Sequence, residues 1–516
     1  MSKWNRLLNI LTILFGAIAI GVITHQIVLR AGYKLFWFDE GNEILNSCAK
    51  SYSNMLIHGA SSQCSPAPFY YVLQKFVVSH VPLDGKNILY FFRAISIVSA
   101  ALSLVVLFLV FTKYLGVLWG LFGVFMLDNG QFRYFGTESR PYMLWIFVFS
   151  ATLILVSSLV HKPWNQVSIA SKIILVLLGL ALTLVAGGGM VQTVGFLATL
   201  LVWDGSLKVR RWIKQSSFKF LFAVIAVSCA VGIYYAVQGC LQYDGLKWDL
   251  LRTKDWTLLA DVISLLWPLP SSACRDYLDP CGLVTGVFNF FLLAGVAAPF
   301  WLWKNRKNLS EEKKFLVSVG VASLVQIFCA VILGILVAKA HYYFIGRVFI
   351  YLMVLRAVLV VCGGYFCLSW MFDTWNKSPY KLNPLSLQVC LVTVLVVGLS
   401  ASLYRTHRWL GASISEIQKD WPVLAPAICQ PTKGSLAVVS REEHSIKGRE
   451  EYWLNFIAIF GEQLKACGWV PGDGPLSYVV PKHSLDGKTY SYQITDTLPV
   501  GSSILGFFHQ PLLFEQ

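Results

Sequence analysis

Leu8-Asn9-Ile10-Leu11-Thr12-Ile13-Leu14-Phe15-Gly16-Ala17-Ile18-Ala19-Ile20-Gly21-Val22-Ile23-Thr24-His25-Gln26-Ile27-Val28-Leu29 contains no Lys, Arg, Asp or Glu. Wound as a helix, a run of this length crosses a hydrocarbon core about 30 Å thick. Only a short basic tail (Lys3, Arg6) precedes it and no small-residue cleavage site follows. It therefore reads as a retained helix with its amino terminus in the cytoplasm. Comparable apolar runs recur at about 91–112, 115–128, 140–160, 171–188, 190–204, 219–237, 282–303, 315–338, 348–370 and 386–404, giving about eleven spans. With 516 residues, 56% of them hydrophobic and 13% charged, the fold class is an all-α polytopic membrane protein.

Charge sets the orientation. Lys208, Arg210, Arg211, Lys214 and Lys219 crowd one short loop, and Lys304, Arg306, Lys307, Lys313 and Lys314 another; both fall on the cytoplasmic side of this count. From Arg405 onward 10 basic residues face 11 acidic ones, so the net charge of +15 belongs to the membrane part and requires no nucleic acid partner. Residues 1–404 read as the transmembrane domain, with a long first outer loop over about 30–90 and another over about 238–281. Residues 405–516 change character: runs at 435–439, 476–480 and 504–508 have strand length and 450–466 is amphipathic, which suggests a small extra-cytoplasmic α/β domain. Cysteines sort the same way. Cys48 with Cys64 and Cys429 with Cys467 are the most plausible disulfides of an oxidising compartment, whereas Cys229, Cys329, Cys362, Cys367 and Cys390 fall in apolar spans as free thiols. No Cys/His spacing suggests zinc.

About ten residues beyond the first span stands Leu35-Phe36-Trp37-Phe38-Asp39-Glu40-Gly41-Asn42-Glu43. Carboxylates at the edge of a bilayer are costly unless they have work there, and the aromatic trio anchors them at headgroup level, where a lipid-linked substrate presents its polar part. A short helix from Phe38 would put Asp39 and Glu43 on one face and turn Glu40 elsewhere. The competing reading is a cluster that merely solvates an interfacial helix. A second cluster runs from Asp128 to Tyr142, with Asp128, Arg133, Glu138 and Arg140 among aromatics; it suits phosphate and sugar recognition, and equally a loop with internal ion pairs. His58, His80 and His341 are lone histidines of the structural kind. Tyr243 to Trp256 interleaves aromatic and charged residues, as sugar stacking or an ordinary interfacial loop would.

Taken in order, Asp39-Glu40 after the first span, Pro66-Ala67-Pro68-Phe69-Tyr70-Tyr71, Phe92-Arg93-Ala94-Ile95-Ser96 and Tyr134-Phe135-Gly136-Thr137-Glu138-Ser139-Arg140-Pro141-Tyr142 resemble the GT-C membrane glycosyltransferases. Within these the chain is most similar to the protein mannosyltransferase and aminoarabinose transferase group, over roughly residues 1–160. Tyr342-Tyr343-Phe344-Ile345-Gly346-Arg347 is a weaker match. The departures are Ser65 where His is frequent, Ala67 inside the Pro pair and Val348 after Arg347; they bear on subgroup and acceptor more than on reaction.

The resemblance implies transfer of a sugar, with inversion, from a polyprenyl-phosphate donor to an acceptor hydroxyl of a protein, lipid or glycan. The expected setting is the periplasmic face of a bacterial inner membrane. By position Asp39 is the general base, with Glu40 as supporting or alternative carboxylate. Glu138 or Asp128 would orient the acceptor or hold a divalent cation such as Mg or Mn, and Arg140, Arg347 and Tyr343 would meet the donor phosphate. Arg93, at a helix end, reads first as a snorkelling side chain. Two other classes of function remain in view: a transporter or lipid flippase, favoured only by the break at Gly187-Gly188-Gly189, and a catalytically silent envelope assembly subunit.

Overall fold

A computed structural model describes residues 3–34, 51–59, 67–81, 87–160, 166–186, 188–203, 216–241, 283–303, 309–339 and 349–375. It also describes five strands between 437 and 514 and isolated positions including Phe36, Glu40, Ile44 and Trp267. Helices follow one another along the membrane part: α1 (Lys3–Tyr33), α2 (Tyr52–His58), α3 (Phe69–Val78), α4 (Asn87–Leu115), α5 (Val117–Leu127), α6 (Gly130–Gly136) and α7 (Tyr142–Leu159). They continue as α8 (Ile169–Val185), α9 (Gly189–Trp203), α10 (Ser216–Leu241), α11 (Leu283–Trp303), α12 (Glu311–Lys339) and α13 (Leu352–Trp375). Among the described residues, six of these, α1, α4, α7, α11, α12 and α13, are long and apolar enough to cross a membrane. Ten of the expected spans coincide with helices; 386–404 lies outside the described residues.

Side-chain exposure fits a hydrocarbon solvent. Along α1, Leu7, Ile10, Leu11, Leu14 and Ile18 recur at helical spacing and are all exposed, which water would oppose and lipid favours. On α13 nearly every residue from Leu352 to Cys362 is buried, as befits a helix at the centre of a bundle.

The contacts divide the chain into two compact units. One holds Met1–Ile23, Ser99–Phe132 and Leu144–Arg405; the other holds Thr24–Val98, Arg133–Met143 and Thr406–Gln516. In the first, α11 and α13 cross where a side-chain Cβ at Gly295 would strike the Leu359 carbonyl and one at Gly363 the Phe291 carbonyl. Small residues let the two backbones touch, the means by which membrane helices pack without a hydrophobic drive. Leu292, Leu359 and Val360 form the adjoining core, with Phe122, Met126 and Phe288 against it. Gly116, at φ 101°, makes the turn from α4 into α5, a backbone conformation open to few other residues. The break before α9 is a packing device: Gly189 lies against the Leu182 carbonyl, and Thr193 donates to the carbonyls of Gly179 and Gly189 at 3.1 and 3.0 Å. Cys229, Cys329, Cys362 and Cys367 are free.

The tail contributes β1 (Ala437–Val439), β2 (Trp469–Pro471), β3 (Val479–Pro481), β4 (Ile504–Phe508) and β5 (Gln510–Phe514). β4 pairs in parallel with β1 and antiparallel with β5, while β2 and β3 form an antiparallel pair. Cys48, Cys64, Cys429 and Cys467 lie outside the described residues, as do the loop from Tyr243 to Trp256 and His341.

Candidate functional site

The second unit gathers the conspicuous sequence segments into one buried network. It is built where α1 ends. A helix leaves its last carbonyls without partners, and here Arg93, from the second turn of α4, supplies them: Nη1 donates to the Ala31 carbonyl at 2.7 Å and also to that of Lys34. The rest of the guanidinium is given to Glu40, with Nε on Oε1 at 3.1 Å and Nη2 on Oε2 at 3.0 Å. Both side chains are 0% exposed. A planar fork meeting a carboxylate edge to edge is the strong form of this contact, and Phe36 covers the guanidinium with its ring centroid 4.6 Å away. Arg93 is therefore no snorkelling residue; it has carboxylate and carbonyl partners inside the protein, so its charge needs no water.

Glu40 Oε1 also accepts from the Ser139 backbone N–H at 2.6 Å, which binds the acidic motif to the Glu138-Ser139-Arg140 turn. That turn is tied down further. Ser139 Oγ donates to the Phe92 carbonyl at 3.0 Å, and Ser96 Oγ donates to the Arg140 carbonyl at 3.1 Å. From α3, Gln74 Nε2 reaches both the Phe92 carbonyl, at 3.0 Å, and Ser139 Oγ, while the Tyr70 hydroxyl shares a hydrogen bond with Ser96 at 3.3 Å. Tyr70, Gln74 and Val78 are the buried face of α3 at helical spacing. Phe36, Glu40 and the segments 67–74, 92–96 and 134–142 thus meet, although they are far apart in the chain.

Glu138 is fully buried, with Oε1 3.2 Å from Lys34 Nζ. Lys34 lies 4.1 Å from the Tyr134 ring centroid, and burial holds its ammonium below the ordinary lysine value against the opposing pull of Glu40 and Glu138. Arg140 is buried beneath Tyr142, its guanidinium carbon 5.0 Å from that ring. Asp128 caps the end of α5, its N–H on the Val124 carbonyl at 3.0 Å, and belongs to the first unit; Glu138 belongs to the second. Asp39, Tyr343 and Arg347 lie outside the described residues. His80 is exposed and bonded through Nδ1 to the Phe76 carbonyl at 2.7 Å, and His58 ends α2 exposed.

Lys34 and Gln74 lie outside the segments that the sequence singles out, whereas Ser96 and Ser139 lie inside them without a role of their own. Gln74 alone carried a signal, as an amide on the apolar face of Phe69–Val78. Among the described residues no three His, Cys, Asp or Glu side chains are grouped to hold a metal. The described surroundings of Glu138 offer an ammonium where a divalent cation would need further oxygen donors.

No family profile and no curated protein matches the chain. Among solved structures it is similar to ArnT from Cupriavidus metallidurans bound to undecaprenyl phosphate, with a TM-score of 0.48 and 13% identity over 86% of this chain and 84% of that one. It is also similar to the apo oligosaccharyltransferase of Archaeoglobus fulgidus, with a TM-score of 0.46 and 11% identity over 87% of this chain and 64% of that one.

Proposed function

We propose that the chain is a membrane glycosyltransferase that moves a sugar from a polyprenyl-phosphate donor to an acceptor hydroxyl at the outer face of the membrane, with inversion at the anomeric carbon. One observation carries the reading. Arg93 grips Glu40 in a fully buried bidentate pair that Ser139 closes, so the residue beside Asp39 is fixed to the segments bearing Glu138 and Arg140. Ion pairs of this kind are costly to bury, and fixing a reactive neighbour is a reason to keep one.

Asp39 is assigned as general base. The acceptor oxygen attacks the anomeric carbon while Asp39 takes its proton, and the bond from that carbon to the lipid phosphate oxygen breaks with its electron pair leaving on the phosphate. In this assignment Glu40 acts through position, held away from proton transfer by Arg93. Glu138 orients the acceptor, and Arg140 with Arg347 and Tyr343 receives the departing phosphate. Asp128 stands as the alternative second carboxylate. A divalent cation, were one used, would supply Lewis-acid stabilisation of the leaving phosphate. Residues 1–404 are assigned to the transferase domain, with eleven spans, and 405–516 to an extra-cytoplasmic domain. A bacterial inner membrane with the site facing the periplasm is the proposed setting.

The test is to incubate membranes with and without the chain with a panel of labelled polyprenyl-phosphate sugars and determine the anomer of the product. Transfer of at least one sugar with inverted configuration is expected only where the chain is present. Retention of configuration would dismiss the single-displacement chemistry, and no transfer from any donor would dismiss the enzyme.

A further inference from the structure

Glu138 is wholly buried, yet its two oxygens differ. Oε1 takes Lys34, whereas Oε2 accepts no hydrogen bond among the described residues. A buried carboxylate oxygen left in this state points to a missing partner. Lys34 is held through both its peptide groups: its N–H donates to the Arg30 carbonyl at 2.8 Å and its carbonyl accepts from Arg93. Its side chain, 18% exposed, is laid over Tyr134. The ammonium is therefore placed by the end of α1 and does not wander to Glu138 from a flexible loop.

Among the described residues the two ion pairs are each neutral. Two carboxylates, Glu40 and Glu138, face two cations, Arg93 and Lys34. A divalent ion bound to Glu138 would sit about 2.0–2.6 Å from its oxygen, close to an ammonium already 3.2 Å away, and would leave two surplus positive charges in a buried place. We propose that Lys34 is a resident cation standing where a divalent ion would otherwise be held, and that the site takes a lipid phosphate without a metal. This rests on the glycosyltransferase reading for its ligand, but not for its charge arrangement. Glu138 Oε2 then remains for a hydrogen-bond donor such as a ligand hydroxyl.

Full-length protein in nanodiscs, titrated against Mn²⁺ with the free ion followed by electron paramagnetic resonance, tests the charge arrangement independently of activity. Wild type should leave the free-ion signal undiminished. Glu138→Gln should behave as wild type does. Uptake by wild type that Glu138→Gln abolishes would overturn the proposal. A second arm measures binding of undecaprenyl phosphate in EDTA and in Mn²⁺. Equal affinity in the two supports the proposal, and a requirement for Mn²⁺ overturns it. Absence of binding in both would count against the lipid-phosphate donor instead, leaving the Mn²⁺ titration to judge Lys34.

Discussion

Arg93 and Glu40 illustrate what one buried pair does and what its loss would do. The guanidinium joins a carboxylate to the end of a helix, so removing it strands a charge and two carbonyls together. Arg93→Met should lower stability by about 3–5 kcal/mol, measured by thermal unfolding in micelles. Removing the carboxylate as well, in Arg93→Met with Glu40→Gln, should cost less than the sum of the single losses; additive losses would show that the two do not interact. Lys34 offers a pH test. Its folded value lies below 10.5, chiefly through burial, so the unfolded chain still holds this proton at pH values where the folded chain has released it. Stability from this group therefore rises with pH through the folded midpoint and levels off above 10.5. Reductive ¹³C-methylation followed by NMR titration, with the Lys34 signal identified by its absence in Lys34→Arg, should give a midpoint below that of surface lysines. A midpoint level with theirs would contradict the burial described.

Among elements, the α11–α13 crossing makes the sharpest demand. Gly363 leaves no room before the Phe291 carbonyl, whereas Gly286, on the same α11, has nothing within 4 Å of where a Cβ would stand. Gly363→Leu should destabilise by about 1–3 kcal/mol or prevent assembly, and Gly286→Ala should be neutral or stabilising by up to about 1 kcal/mol, read as thermal midpoints in the same detergent. The long helices were legible because an apolar run must hydrogen-bond its own backbone in lipid, so length and composition nearly decide the element. Strands in the tail were only partly legible. The runs at 435–439, 476–480 and 504–508 announced β1, β3 and β4, but Pro471 ends β2 and Pro511 lies within β5, where proline ordinarily argues against a strand. β5 sits at the edge of its sheet, the position that tolerates it.

At the scale of the molecule, the sequence displayed four short segments in order but not their joining. Glu40 and Ser139 are 99 positions apart, and no periodicity links a carboxylate to a remote backbone N–H. Side-chain periodicity reports one element's face, so it can mark Gln74 as an amide on the apolar side of α3 but cannot name the groups it bonds. Lys34 was missed for a related reason: a single lysine after a membrane helix is ordinary, and only the fold shows that it faces Glu138. The central claim is that this network serves proton transfer from an acceptor alcohol by Asp39. Purified wild type and Asp39→Asn, compared for sugar transfer from the donor found active and for binding of that donor, test it most directly. Turnover should fall by about 10²-fold or more with donor affinity and thermal midpoint unchanged; full transfer by Asp39→Asn would contradict the account.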